Sequence, residues 1–137
     1  MNLKKHGAKN FWLTEFVPKE VYAVLGSEAI HLMDNRLFVI AQVLRTYIDA
    51  PITINSWYDG GNLNERGFRV FDTTTGGLKS QHKLGKAIDI SWDFSAKNID
   101  VVVGYLTLHR YLFRQLGLGA IGIYPWGLHL DTREVKG

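Results

Sequence analysis

The chemistry this sequence offers is concentrated at two places. His82 and Asp89 stand seven residues apart in Ser80–Ile90, S-Q-H-K-L-G-K-A-I-D-I, and His129 and Asp131 close the short run G-L-H-L-D, Gly127–Asp131. Two imidazoles and a carboxylate are a zinc-ligand set, because a catalytic zinc takes three protein ligands and keeps one position for water. His82, Asp89 and His129 are therefore the expected ligands of one Zn2+ ion. The chain has no cysteine, so any metal site must be built from imidazole and carboxylate. A duller alternative stands beside this one: a surface hydrogen-bonded His–Asp network on half-buried strands. The other histidines have plain readings, His6 in a frayed end, His31 just before a helix cap and His109 exposed in mid-helix.

The elements that must position these residues are strands. Lys86–Trp92 alternates, with Ala87, Asp89 and Ser91 on one face and Ile88, Ile90 and Trp92 on the other, so Asp89 faces away from the core. Two short strands close the chain, Ala120–Tyr124 and Leu128–Thr132, joined by Pro125, Trp126 and Gly127. On the second, His129 and Asp131 share a face that the flanking leucines do not. Burying such a polar face is expensive without a purpose.

The remaining chain supplies the frame. Pro18 suits the first turn of a helix that stops at Gly26. Asp34 caps the next helix, with Met33 and Phe38 as a hydrophobic staple and Leu37, Ile40, Ala41, Leu44, Tyr47 and Ile48 as its buried stripe. Pro51 ends it, and I-T-I-N-S-W-Y, Ile52–Tyr58, alternates as a strand. The stretches D-G-G-N-L-N-E-R-G and D-T-T-T-G-G-L-K-S read as loops. Asn98 or Asp100 caps a last helix, whose apolar set Val102, Val103, Leu106, Leu112, Phe113 and Leu116 ends at Gly117. The expected fold is α+β, a mostly antiparallel sheet with packed helices. Residues 1–10 form a flexible N-terminus and 11–137 a single domain.

At 137 residues, with 46% apolar and 21% charged residues, the chain suits one folded domain. A net charge of +3, spread without a long basic run, points away from a nucleic-acid partner. No apolar run is long enough to span a bilayer, so no membrane insertion is expected. The basic start lacks the apolar stretch of a signal peptide. The glycines at 60, 61, 76 and 77 serve loop geometry, and none lies in a phosphate-cradling context.

Ser80–Ile90 resembles the S-x-H-x-x-G-x-A-x-D signature of the M15 zinc peptidases, a group of D-Ala-D-Ala carboxypeptidases and phage L-alanyl-D-glutamate endolysins. G-I-Y-P (Gly122–Pro125), H-L-D-T-R (His129–Arg133) and F-W-L-T-E-F (Phe11–Phe16) resemble further pieces of the small branch, in order, so that the similarity runs from residue 11 to 133. The resemblance implies a hedgehog/DD-peptidase-like fold, with His82, Asp89 and His129 on zinc and a peptidoglycan stem peptide as the partner. The family's proton carrier would fall at Trp126 or Gly127, which cannot serve. Asp131 is the substitute, either as acid/base or as an acceptor orienting a zinc histidine. Tyr124 would stabilise the oxyanion, unless it simply packs. The family's arginine, in S-x-Y-R, is replaced by Asp59, so Arg66 or Arg69 would bind the substrate carboxylate. Ser80 supports His82 or its loop, and Gly85 allows a tight turn.

The expected function is hydrolysis of peptidoglycan stem peptides by a monomeric zinc metallopeptidase of the endolysin kind. Such a protein would stay cytoplasmic until released, or ride on a virion, and act on the cell wall. The alternative is a non-catalytic, zinc-stabilised structural or wall-binding domain.

Overall fold

The computed structural model describes residues 1–54 and 85–134. The chain opens with a two-stranded antiparallel sheet, β1 (Asn2–Leu3) and β2 (Ala8–Trp12). Its inward side chains Leu3, Ala8 and Phe11 are buried, so the opening segment is built into the core. In F-W-L-T-E-F, Glu15 closes a 3-10 turn by accepting the Trp12 backbone N–H at 2.7 Å. Burial pushes the Glu15 carboxyl up, and that hydrogen bond partly offsets the effect.

Helix α1 (Lys19–Leu25) starts after Pro18 and stops at Gly26, as its punctuation predicts. Helix α2 (Arg36–Ile48) buries Leu37, Phe38, Ile40, Ala41, Leu44 and Ile48. Its expected stripe is thus nearly complete, with Tyr47 half-buried and stacked on Tyr105 at 3.7 Å. The cap position is Asn35, not the expected Asp34, and Asn35 makes no side-chain cap bond; Asp34, one residue earlier, accepts the Arg36 N–H at 3.0 Å. Phe38 packs edge-on against Phe16 at 4.7 Å, which joins the helix to the N-terminal turn.

The second sheet is the heart of the molecule. It contains β3 (Ile52–Thr53), β4 (Ala87–Trp92), β5 (Ala120–Tyr124) and β6 (Gly127–Asp131), in the order β3-β4-β6-β5 with every neighbouring pair antiparallel. Only the first two residues of the predicted Ile52–Tyr58 strand fall among the strand residues described, and those beyond Ile54 lie outside them. Ile88 pairs with Leu130 and Ile90 with Leu128, and these four side chains are wholly buried in one core with α2. At the entrance to β4, Gly85 has φ +71°, and a Cβ there would collide with the Leu32 carbonyl. The tight turn expected of this glycine is therefore real.

The last helix differs from its prediction. It is broken at His109 into α3 (Ile99–Leu108) and α4 (Arg110–Gln115). Asn98, not Asp100, is the cap, accepting the Asp100 N–H at 2.7 Å. The break turns Phe113 into the core and leaves Leu112 exposed. The result is a mixed α+β domain of antiparallel sheets and packed helices.

Candidate functional site

The register of β4, β6 and β5 builds a polar row. Asp89 lies opposite His129, and His129 opposite Gly122; one step along, Asp131 lies between Ala87 and Ala120. Directly paired residues share a face, and so do residues two apart on a strand. Asp89, His129 and Asp131 therefore project together from the face opposite the Ile/Leu core. They stand on a floor of small residues.

Each ring nitrogen of His129 meets a carboxylate. Nδ1 lies 3.0 Å from Asp89 Oδ1, and Nε2 lies 2.8 Å from Asp131 Oδ2. With both carboxylates ionised, an acceptor stands at each ring nitrogen, which favours the doubly protonated ring. Burial pulls its pKa down, but the hydrogen bonds and charges of Asp131 and Asp89 outweigh this and hold it at about 9. Asp131 is fully buried and has a further partner: Arg133 donates to it from Nε at 2.9 Å and Nη2 at 2.7 Å. Burial would raise the Asp131 carboxyl, yet the hydrogen bonds from His129 and Arg133 prevail and lower it to about 2. At neutral pH this carboxylate is ionised and already engaged by two cations.

Tyr124 belongs to the same face. A side chain at position 122 would meet the Tyr124 ring at 2.9 Å and His129 Cβ at 3.3 Å, so Gly122 leaves the space in which the phenol lies beside the histidine. The Tyr124 and Trp126 rings are stacked 5.0 Å apart and both reach solvent, forming an aromatic wall. Of the expected site residues, the structure thus brings together Asp89, His129, Asp131 and Tyr124. Arg66, Arg69, Ser80 and His82 lie outside the described residues. Arg133 was not singled out as a site residue by sequence reasoning. The signal was its place two residues after Asp131, where a guanidinium fork fits a carboxylate.

Protein families, curated proteins and solved structures yield no match to this chain. Among the described residues, no group of three or more His, Cys, Asp or Glu side chains is placed to hold a metal ion. On the sheet face, each His129 ring nitrogen instead lies within hydrogen-bond distance of a carboxylate, Nδ1 by Asp89 and Nε2 by Asp131. These findings correct the expectations that rested on the M15 resemblance. The zinc cofactor and zinc-dependent peptidase activity do not hold, nor does peptidoglycan hydrolysis with its endolysin and phage setting. The zinc-stabilised wall-binding alternative falls with them. What stands on the face is the hydrogen-bonded His–Asp network, more deeply buried than a surface one. Among the described residues no helix is long and apolar enough to cross a membrane.

Proposed function

We propose that the polar face of the four-stranded sheet is a binding site for a short peptide, and that the domain acts as a metal-independent recognition module. One observation carries this reading: a histidine cation is clamped between Asp89 and Asp131 on a strand face floored by Ala87, Ala120 and Gly122. Ions removed from water each cost several kcal/mol, in order of magnitude, before pairing returns it. A trio kept at that cost on a face of small residues suits a site that must meet polar groups. Peptide amides supply donors for Asp89, whose side chain keeps 10% exposure, while buried Asp131 braces His129 from behind, and the Tyr124–Trp126 wall supplies a flat surface for side chains.

Arg66 or Arg69 supplies the fork for a peptide carboxylate in this proposal, and Ser80 supports His82 or its loop. A peptidoglycan stem peptide enters only as a bound ligand, without hydrolysis, and the protein works as a monomer. A hedgehog/DD-peptidase-like arrangement is part of this proposal, supported by an antiparallel sheet with one polar face and one face in the helical core. The test is calorimetric titration of chelator-treated protein with synthetic tri- and tetrapeptides, stem sequences among them. Saturable binding that weakens about tenfold in Tyr124→Ala, a difference near 1.4 kcal/mol, supports the reading. Absence of saturable binding by every peptide at millimolar concentration overturns it.

A further inference from the structure

An opening near the sheet lies at the opposite end of the β5–β6 hairpin from the aromatic wall. It is a cavity of about 550 Å³ beside Thr132 and Gly117–Gly119, and its walls carry Arg36, Lys86, Arg114 and Arg133 with one carboxylate, Glu134. Arg36 and Arg133 are held in the same manner. Arg36 donates to Asp34 from Nε at 3.0 Å and Nη2 at 2.6 Å, just as Arg133 grips Asp131 from Nε and Nη2. Each guanidinium keeps Nη1 without a protein partner among the described residues, and the two side chains are 53% and 52% exposed.

The seat of Arg36 is built into the backbone. Gly117 has φ +105°, and the Arg36 side chain crosses the space a Cβ would fill, with Nε and Nη1 each 2.9 Å from that point. Asp34 also accepts a hydrogen bond from Thr132 Oγ1 at 2.7 Å, which ties the start of α2 to the strand end and fixes the back wall. Lys86 and Arg114 are exposed and make no ion pair among the described residues. The cluster therefore contains two braced arginines with spare donors and two cations that make no ion pair among the described residues, against the one carboxylate of Glu134.

We propose that this cavity is a binding site for a small phosphate monoester. A lone carboxylate presents one two-oxygen edge, which a single fork satisfies. A phosphate presents three oxygens on several edges and a charge approaching −2, so it can engage the spare arginine donors and the two other cations together. The cavity has room for the organic part of a small molecule beyond the phosphate. None of its lining residues belongs to the proposed peptide site except Arg133, which reaches it only through Asp131. The inference does not depend on that reading.

The experiment uses the full chain, with inorganic phosphate and phenyl phosphate as probes and benzoate as the carboxylate comparison, at constant ionic strength. Calorimetry is expected to show saturable binding of both phosphates and at least tenfold weaker binding of benzoate. The Lys86→Gln/Arg114→Gln double variant removes only cations that make no ion pair among the described residues, so its melting temperature without ligand should match wild type. Its phosphate affinity is expected to fall at least tenfold. Phosphate binding that is absent, that benzoate equals, or that survives the double substitution unchanged would overturn the proposal. Should the double variant fail to fold, Lys86→Arg and Arg114→Lys, which keep the charge, are expected to retain binding within about threefold, and loss in both would count against the proposal.

Discussion

With Asp89 Oδ1 3.0 Å from Nδ1 and Asp131 Oδ2 2.8 Å from Nε2, His129 has a carboxylate at each ring nitrogen. This makes it a fixed cation, and a poor choice for taking up a proton near neutrality. Asp131 carries the heavier obligation, because it is fully buried and serves both His129 and the Arg133 fork. Replacing it by Asn keeps the shape and removes the charge, which leaves two cations short of a counter-ion. Breaking a buried pair in this way costs about 3 kcal/mol or more. Asp131→Asn is thus expected to lower the urea midpoint by a corresponding amount with an unchanged slope. An unaltered midpoint would mean that the network contributes little to the folded state.

At the scale of elements, the local signals were legible wherever they were local. Pro18 and Gly26 bracket α1, the apolar stripe marks α2, and the alternation of Ala87–Trp92 assigns Asp89 and Ile90 to opposite faces. The break at His109 was not legible, since no Pro or Gly marks it. There the backbone leaves helical geometry at φ −104°, ψ 27°, while its N–H still bonds Tyr105 O at 3.0 Å and its ring leans on Tyr105. Packing of Phe113 beneath the break, not a local stop signal, accompanies the new direction. Asp100 was an equally good cap candidate by type, and the extended backbone of Asn98 decides between them. Asn98→Ala should cost about 1 kcal/mol, read as a lowered melting temperature, whereas Asp100→Ala should cost less because no cap bond is lost.

Across the whole molecule, the site depends on register that no short stretch contains. That Asp89 stands opposite His129 follows from the β4–β6 pairing, and that Asp131 takes the other nitrogen follows from how the ring turns in the fold. The residue types were readable from sequence, but the placing of a carboxylate at each nitrogen of His129 was not. The same network sets the pH response. The His129 pKa rises from 6.5 to about 9 on folding, so its stabilisation is complete below pH 6.5 and is lost as pH climbs through 9. Asp131 and Asp34 fall from 3.8 to about 2, so theirs is complete above pH 3.8 and is lost as pH drops through 2. Denaturation across pH should therefore give a stability plateau between 3.8 and 6.5 with declines on both sides. A maximum above pH 9 would have the wrong sign. The most direct measurement is 15N NMR of the His129 imidazole in the folded protein, assigned with His129→Gln and followed from pH 5 to 10. The clamped cation predicts two protonated ring nitrogens at pH 7 and a midpoint near 9, the same with or without chelator. A neutral ring at pH 7, with one nitrogen bare or bound to a metal that chelator removes, would contradict it.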